Sequence, residues 1–321
     1  MTISGFTFMR NTATLYYPFI ESLLSILPIC DEFVIALSKE NENDETENEI
    51  KKLNHPKIKI IHTTWDINQY PNGTVYAQQS NIALKACSSD WCFYLQSDEL
   101  IHENDLNEIK KYCEQYQNNK EVEGFLFNYL HFYGSYERVM NSHCWYKREI
   151  RIVRNHPDIY SYGDAQSFRY IPEFGHKDYR TKKGRCLNVI HIPISVYHYG
   201  WVRPPSMMRS KSKVMDSHYH SASKIENKYQ KLHEEFDYGN LNFTEPFQLT
   251  HPSSMKAWIE KFNWKDKLHF EKNYRRKGDL PKHERIKYRI LSYIENTFFN
   301  GRIIFGYTNW RIISKCDNEL I

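Results

Sequence analysis

No stretch of this 321-residue chain approaches the length of an apolar membrane-spanning helix. Its opening residues also lack the basic-then-apolar pattern of a secretory leader, so the expectation is a cytoplasmic chain. The seven cysteines, Cys30, Cys87, Cys92, Cys113, Cys144, Cys186 and Cys316, contain no Cys-x-x-Cys pair. An odd set without that spacing indicates neither a zinc site nor a disulfide framework, and reads as buried thiols. There is no internal repeat and no low-complexity linker. No Gly-rich loop bearing Lys or Arg follows the first strand, which weighs against nucleoside triphosphate chemistry. No nucleic-acid-binding motif is recognisable, so nucleic acid is not an expected partner.

What is present is aromatic and mildly basic. There are 24 Tyr and 18 Phe, and the net charge is +4. A mean hydropathy of -0.70 describes a wet, charged surface. From His251 onward, 15 Lys and Arg stand against 8 Asp and Glu, about +7, which leaves the earlier chain slightly acidic. The chain divides on this basis into a main domain, 1–250, and a basic, aromatic-rich helical extension, 251–321. Trp258, Phe262, Trp264, Leu268 and Phe270 lie among its lysines. They either pack on the main domain as one face of amphipathic helices or dock on an anionic membrane surface.

The chain is organised by no single motif so much as by one strand and its end, Trp91-Cys92-Phe93-Tyr94-Leu95-Gln96-Ser97-Asp98-Glu99. Five apolar residues running straight into two carboxylates read as a strand covered on both faces that delivers acids to its carboxyl end. Buried acids need a cation or hydrogen bonds, and a divalent metal would serve. In open α/β sheets ligands collect at this end of the strands. The alternative is that Ser97 or Asp98 caps a helix over Asp105–Tyr112.

Strands are expected at Ile3–Phe8, Glu32–Leu37, Lys57–His62 and Trp91–Leu95, with helices at Pro18–Leu27 and Val75–Ala86 between them. A polar loop from Ser38 to Asn48 leads into a short helix. This alternation predicts a parallel sheet of βαβ units. Further on, Gly124–Tyr133, Arg151–Val153 and Val189–Tyr199 read as strands that make the sheet mixed. Tyr160–Arg169 reads as a loop, and Pro204-Pro205 precede a helix bearing Met207, Met208, Lys211 and Met215.

Over Ile3–Lys213 the order of four short motifs resembles the family-2 glycosyltransferases with the GT-A fold. They are Phe8-Met9-Arg10-Asn11 after the first strand, Asp31–Ile35 with Asp44-Glu45-Thr46, Asn81–Ala86 leading to Asp90-Trp91, and Gln96-Ser97-Asp98-Glu99 where the family carries Asp-x-Asp. The resemblance implies a GT-A-like (Rossmann-like) mixed, mostly parallel sheet flanked by helices. It implies an inverting transfer from a nucleotide-sugar donor to a glycan or lipid-linked acceptor, with Mn2+ or Mg2+ bridging the donor phosphates. Donor contacts would come from Phe8, Arg10, Asn11, Asp44, Asn81, Gln96, Ser97, Asp98 and Arg203. Asp98 would be the principal metal ligand and His198 a further one. Gln96 and Ser80 depart from the family pattern, and the amide of Gln96 can offer only a weak oxygen.

Asp164, in Tyr162-Gly163-Asp164-Ala165-Gln166, is the candidate base for the acceptor hydroxyl, with Glu149 and Glu173 as competitors. Arg203, Lys211 and Lys213 could face the diphosphate. Arg148, Arg151 and Arg154 fall on both faces of a strand, so only one face can serve a phosphate. Two other readings stay open: a sugar nucleotidyltransferase, and a noncatalytic nucleotide- or glycan-binding protein whose Gln96 marks a decayed site.

Overall fold

A computed structural model describes residues 1–180, 184–271, 273–276, 280–299, 303, 304, 306 and 308–315. The strands are β1 Ile3–Arg10, β2 Glu32–Ser38, β3 Ile58–His62, β4 Trp91–Tyr94, β5 Glu99–Ile101, β6 Gly124–Tyr133, β7 Arg138–Val139, β8 Arg148–Arg154, β9 Ile159–Tyr162, β10 Ser167–Tyr170, β11 Arg185–Trp201, β12 Glu245–Pro246 and β13 Trp310–Lys315. The helices are α1 Phe19–Ile26, α2 Thr46–Lys52, α3 Thr74–Lys85, α4 Leu106–Gln115, α5 Pro205–Ser217, α6 Ala222–Gln230, α7 Lys256–Glu260 and α8 Ile286–Phe298.

The expected α/β architecture is the observed one. The sheet runs β3-β2-β1-β4-β8-β6-β11-β10-β9. Its first four strands are parallel, and β8 enters antiparallel between β4 and β6. Their apolar runs arise because both faces are covered. Alternate residues of β2 show it: Phe33 and Ile35 pack with Leu23 of α1 and Ile109 of α4, while Val34 and Ala36 pack with Ala83 and Leu84 of α3.

Several expectations need correction. Tyr160–Arg169 is a β-hairpin, β9 and β10, around the turn 163–166. Its polar composition hides two short paired strands, and Gly163 and Ala165 turn the chain with φ of 62° each. Asp98 is not a helix cap, because β5 and not a helix follows it. Cys30, Cys87, Cys92 and Cys113 are buried, whereas Cys144 and Cys186 are half-exposed; Cys316 lies outside the described residues.

After His251 the chain carries α7 and α8 but also β13, which runs parallel to β11. Trp264 is buried, with its indole N–H donating to the Gly134 carbonyl at 2.8 Å, and Trp258 and Phe262 pack beside it. That part of the tail therefore packs on the main body. Among the described residues no helix is long and apolar enough to cross a membrane.

Candidate active site

A cavity of about 820 Å3 opens at the carboxyl ends of β1 and β4, roofed by α5. The parallel sheet dictates this position, since its strands all deliver their following loops to the same edge. Of the expected donor contacts, Phe8, Arg10, Asn11, Gln96, Ser97 and Asp98 line it, together with the expected base Asp164 and the expected metal ligand His198.

One end is aromatic. Phe8, Trp65 and Tyr76 cluster, with ring centroids 5.9 Å apart for Phe8–Trp65 and 5.8 Å for the stacked Phe8–Tyr76. His218 packs on Trp65 and Tyr76. Arg10 ion-pairs with Glu40 and lies over the Trp65 ring. Three buried polar atoms here have no partner: Arg10 Nη1, Asn11 Oδ1 and Trp65 Nε1. A native fold rarely leaves such atoms unpaired, so they mark a place for a ligand.

The other end is ionic. Asp98 is 4% exposed. Its Oδ2 lies 3.3 Å from Lys211 Nζ and 3.6 Å from Arg203 Nη2, while Oδ1 lies 3.7 Å from His198 Nε2. Burial alone would push this carboxyl up, but Lys211, His198 and Arg203 outweigh it and hold it at about 2. Burial pushes the Lys211 ammonium down to about 7, helped by the Arg203 charge and opposed by Asp98.

The register of β6 with β11 sets the imidazole. His131 stands opposite His198, and their Nδ1 atoms are 2.8 Å apart. His131 Nε2 lies 2.7 Å from the Tyr146 carbonyl, which can only accept. His131 therefore carries its proton on Nε2, accepts from His198 Nδ1–H, and leaves His198 Nε2 as a lone pair facing Asp98. Burial keeps both rings neutral, His198 falling to about 4 and His131 to about 3. Gly200 closes this corner: a Cβ there would collide with His198 Nε2 and come 2.9 Å from Asp98 Oδ2.

An oxygen and an imidazole lone pair at this separation, in a cradle with no room for a methyl group, fit a divalent ion such as Mn2+ or Mg2+. Among the described residues no group of three or more His, Cys, Asp or Glu side chains is placed to hold a metal. The other positions would thus fall to ligand oxygens and water, as is usual for Mg2+ bound beside phosphates.

Other expected residues serve elsewhere. Glu99 is fully buried and takes a two-pronged ion pair from Arg151, at 2.8 Å from both Nε and Nη2, with Tyr129 Oη donating at 2.9 Å. It also accepts from the Gln96 N–H at 3.1 Å, which pins the 96–99 turn and so aims Asp98. Asp44 accepts from Thr14 and Thr46 and shapes its loop. Asn81 clasps the Ser161 backbone with both ends of its amide, 2.9 and 2.8 Å, tying α3 to the hairpin that carries Asp164. Arg203 lies beneath the cavity, bonded to the Leu15 and Gly200 carbonyls with its guanidinium 4.2 Å from the Tyr17 ring centre. Lys213 is exposed and does not line the cavity, nor do Arg148, Arg151 and Arg154. Glu173 is exposed and lines neither this cavity nor the second described below.

Sequence reasoning did not find Trp65, Tyr76, His131, Tyr146 or His218. Trp65 had one usable signal, an aromatic just past the carboxyl end of the third strand. His131 had none, because only the β6–β11 register brings it to His198.

No protein-family model matches the chain, and no curated protein matches it. Its similarities are to solved structures. Staphylococcus aureus TarS 1-349 aligns at 15% identity over 68% of this chain and 65% of that one, with a TM-score of 0.36. The same protein in complex with UDP-GlcNAc aligns at 14% identity, 68% and 66% coverage and a TM-score of 0.36. Mycobacterium tuberculosis glucosyl-3-phosphoglycerate synthase, in complex with Mn2+, UDP and glucosyl-3-phosphoglycerate, aligns at 16% identity over 41% and 45%, with a TM-score of 0.29. The chain thus spans 65% of the length of the first and under half of the last.

Proposed function

We propose that this chain is a GT-A-type glycosyltransferase that takes a nucleotide sugar into the first cavity and passes the sugar, with inversion, to a glycan or lipid-linked acceptor. The observation that carries the reading is the pairing, in one cavity, of an aromatic slot bearing unsatisfied polar atoms with the Asp98–His198 corner flanked by Lys211 and Arg203. A base stacks in the first, and a diphosphate suits the second.

Asp98 and His198 would hold the divalent ion, with the donor phosphates completing its shell. When bound, the ion supplies positive charge to the departing diphosphate. Lys211, on α5 above Asp98, adds its own charge to the same oxygens. Asp164 lines the cavity from the β9–β10 turn, exposed to its open space, and partial desolvation by the surrounding walls raises its carboxyl, as suits a base. It takes the acceptor hydroxyl proton as that oxygen bonds to the anomeric carbon, and the anomeric carbon–phosphate oxygen bond breaks with its electron pair leaving on the diphosphate. The test is a panel of nucleotide sugars with Mn2+, Mg2+ or EDTA, scored by nucleoside diphosphate release. One donor hydrolysed in a metal-dependent way is expected. A panel that is neither hydrolysed nor bound would sink the reading.

A specific observation also favours peripheral membrane contact. Ile286, Ile290 and Tyr293 form an exposed stripe along α8, between 54% and 72% accessible, with Phe298 exposed at its end. Lys287 and Arg289 flank the stripe, the combination that binds an anionic interface. Sedimentation with anionic vesicles tests this, and no binding above that to neutral vesicles would refute it.

A further inference from the structure

A second cavity, of about 590 Å3, lies on the other side of Tyr146 and Gln166, which line both. Asn128 of β6, Asn141, Glu149 of β8 and Gln166 form part of its wall, and Asn309 and Trp310 close it from the C-terminal segment. Glu149 is 2% exposed. Its Oε1 accepts from Gln166 Nε2 at 2.8 Å, and its Oε2 has no hydrogen-bond partner. Leaving a buried carboxyl oxygen unpaired is costly enough that a ligand group is expected against it.

We infer that this second cavity is a saccharide site, and that it holds the acceptor of the transfer. A sugar hydroxyl both donates and accepts, so it satisfies Glu149 Oε2 whether or not the carboxyl carries a proton. The amides of Asn128 and Asn309 offer their NH2 donors, since Arg148 and His191 occupy the oxygen of the first and Tyr162 that of the second, and Asn141 offers its oxygen, since its NH2 donates to Glu245. The Trp310 indole offers an apolar face for a sugar ring. Lys147 and Arg148 also line the wall, but Lys147 Nζ donates to Asn296 and Arg148 Nε to Asn128. Those contacts turn both cations toward amides of the wall, and the remaining lining of amides, a carboxyl and an indole suits a neutral saccharide.

The shared wall gives the connection to the first cavity. Gln166 is anchored by Arg151 Nη1 donating to its carbonyl at 3.0 Å, and it follows Asp164 by two residues in the same turn. A saccharide against Gln166 therefore lies at the wall shared with the first cavity, which Asp164 lines. The word acceptor rests on the transferase reading; the saccharide site itself does not.

The experiment uses the full chain and two independent readouts. Saturation-transfer NMR is run against methyl glycosides and short neutral oligosaccharides. Calorimetry is run against a set of nucleoside diphosphates. Trp310→Ala and Glu149→Leu are each expected to weaken saccharide binding roughly tenfold, while nucleotide binding stays within about twofold. Glu149→Gln, which keeps a polar group at the orphan position, should retain most of the saccharide affinity. Saccharide binding indifferent to both Trp310→Ala and Glu149→Leu would overturn the site, as would a chain that binds nucleotide but no saccharide. If no nucleotide binds, the transferase reading falls and the saccharide arm alone still decides the cavity.

Discussion

The two cavities each contain a nearly inaccessible carboxyl group, and the protein holds the two in opposite states. Asp98 has Lys211 and Arg203 within 3.6 Å and is held ionised, at about 2. Burial raises Glu149 to about 8, against the pull of Arg151 and of the hydrogen bond from Gln166 and with the Glu99 charge adding to the rise. Burial depth is alike, so what separates them is whether a cation faces the group directly. Arg151 gives its Nε and Nη2 hydrogen bonds to Glu99, in two 2.8 Å contacts, and none to Glu149. The first cavity is thus suited to charge and the second to hydroxyl groups.

The largest expected effect breaks the charged side. Asp98→Asn keeps the shape but removes the charge that Lys211 and Arg203 face, and should cost roughly a thousandfold or more in donor turnover, with a native circular dichroism spectrum. Turnover within tenfold of the parent would remove Asp98 from the chemistry. Next, His131→Phe takes away the acceptor that fixes the His198 tautomer. A loss of roughly 10- to 100-fold in metal affinity is expected, measured by Mn2+ titration in the presence of nucleoside diphosphate. Unchanged affinity would mean that the imidazole pair is only structural.

Glu149→Gln sharpens the neutral side. A carboxyl raised from 4.5 to about 8 contributes stability that is complete below about 4.5 and lost as pH rises through 8. Glutamine cannot ionise, so the variant should match the parent near pH 4 and be more stable at pH 8, on the order of 1–3 kcal/mol in urea unfolding. Parallel stability curves across that range would contradict a neutral Glu149. Asn81→Ala should destabilise the fold by roughly 1–2 kcal/mol through the lost Ser161 clasp, with nucleotide affinity little changed. Ile290→Asp is expected to be the mildest, within about 0.5 kcal/mol of the parent in stability, while vesicle binding falls. Vesicle binding that survives it would clear α8 of that role.

The legible parts of the molecule were those where neighbours in sequence share a cause. The first four strands show as apolar runs because helices cover both faces of that half-sheet, and the carboxyl-end rule placed Asp98, Arg10 and Asn11 at one edge. The rest depends on pairing across long separations. Glu99 looked as available as Asp98 until Arg151, 52 residues on, was found to occupy it. Asn81 carried the look of a donor contact, yet its amide reads the backbone of Ser161, 80 residues away. The hairpin bearing Asp164 read as a loop because its four-residue strands carry only one aliphatic or Phe side chain each, Ile159 and Phe168, among Ser, Tyr and Arg. The second cavity could not be foreseen at all, since Asn309 and Trp310 come to line one wall with Asn128 and Glu149 only in the fold.

The most direct test of the account is a calorimetric titration of nucleoside diphosphates into the parent chain and Asp98→Asn, each with and without Mn2+. The account predicts that Mn2+ strengthens binding of at least one nucleotide to the parent, and that this gain disappears in Asp98→Asn while the weaker metal-free binding in the aromatic slot persists. Binding of no nucleotide under any condition, or the same Mn2+ gain in Asp98→Asn, would contradict it.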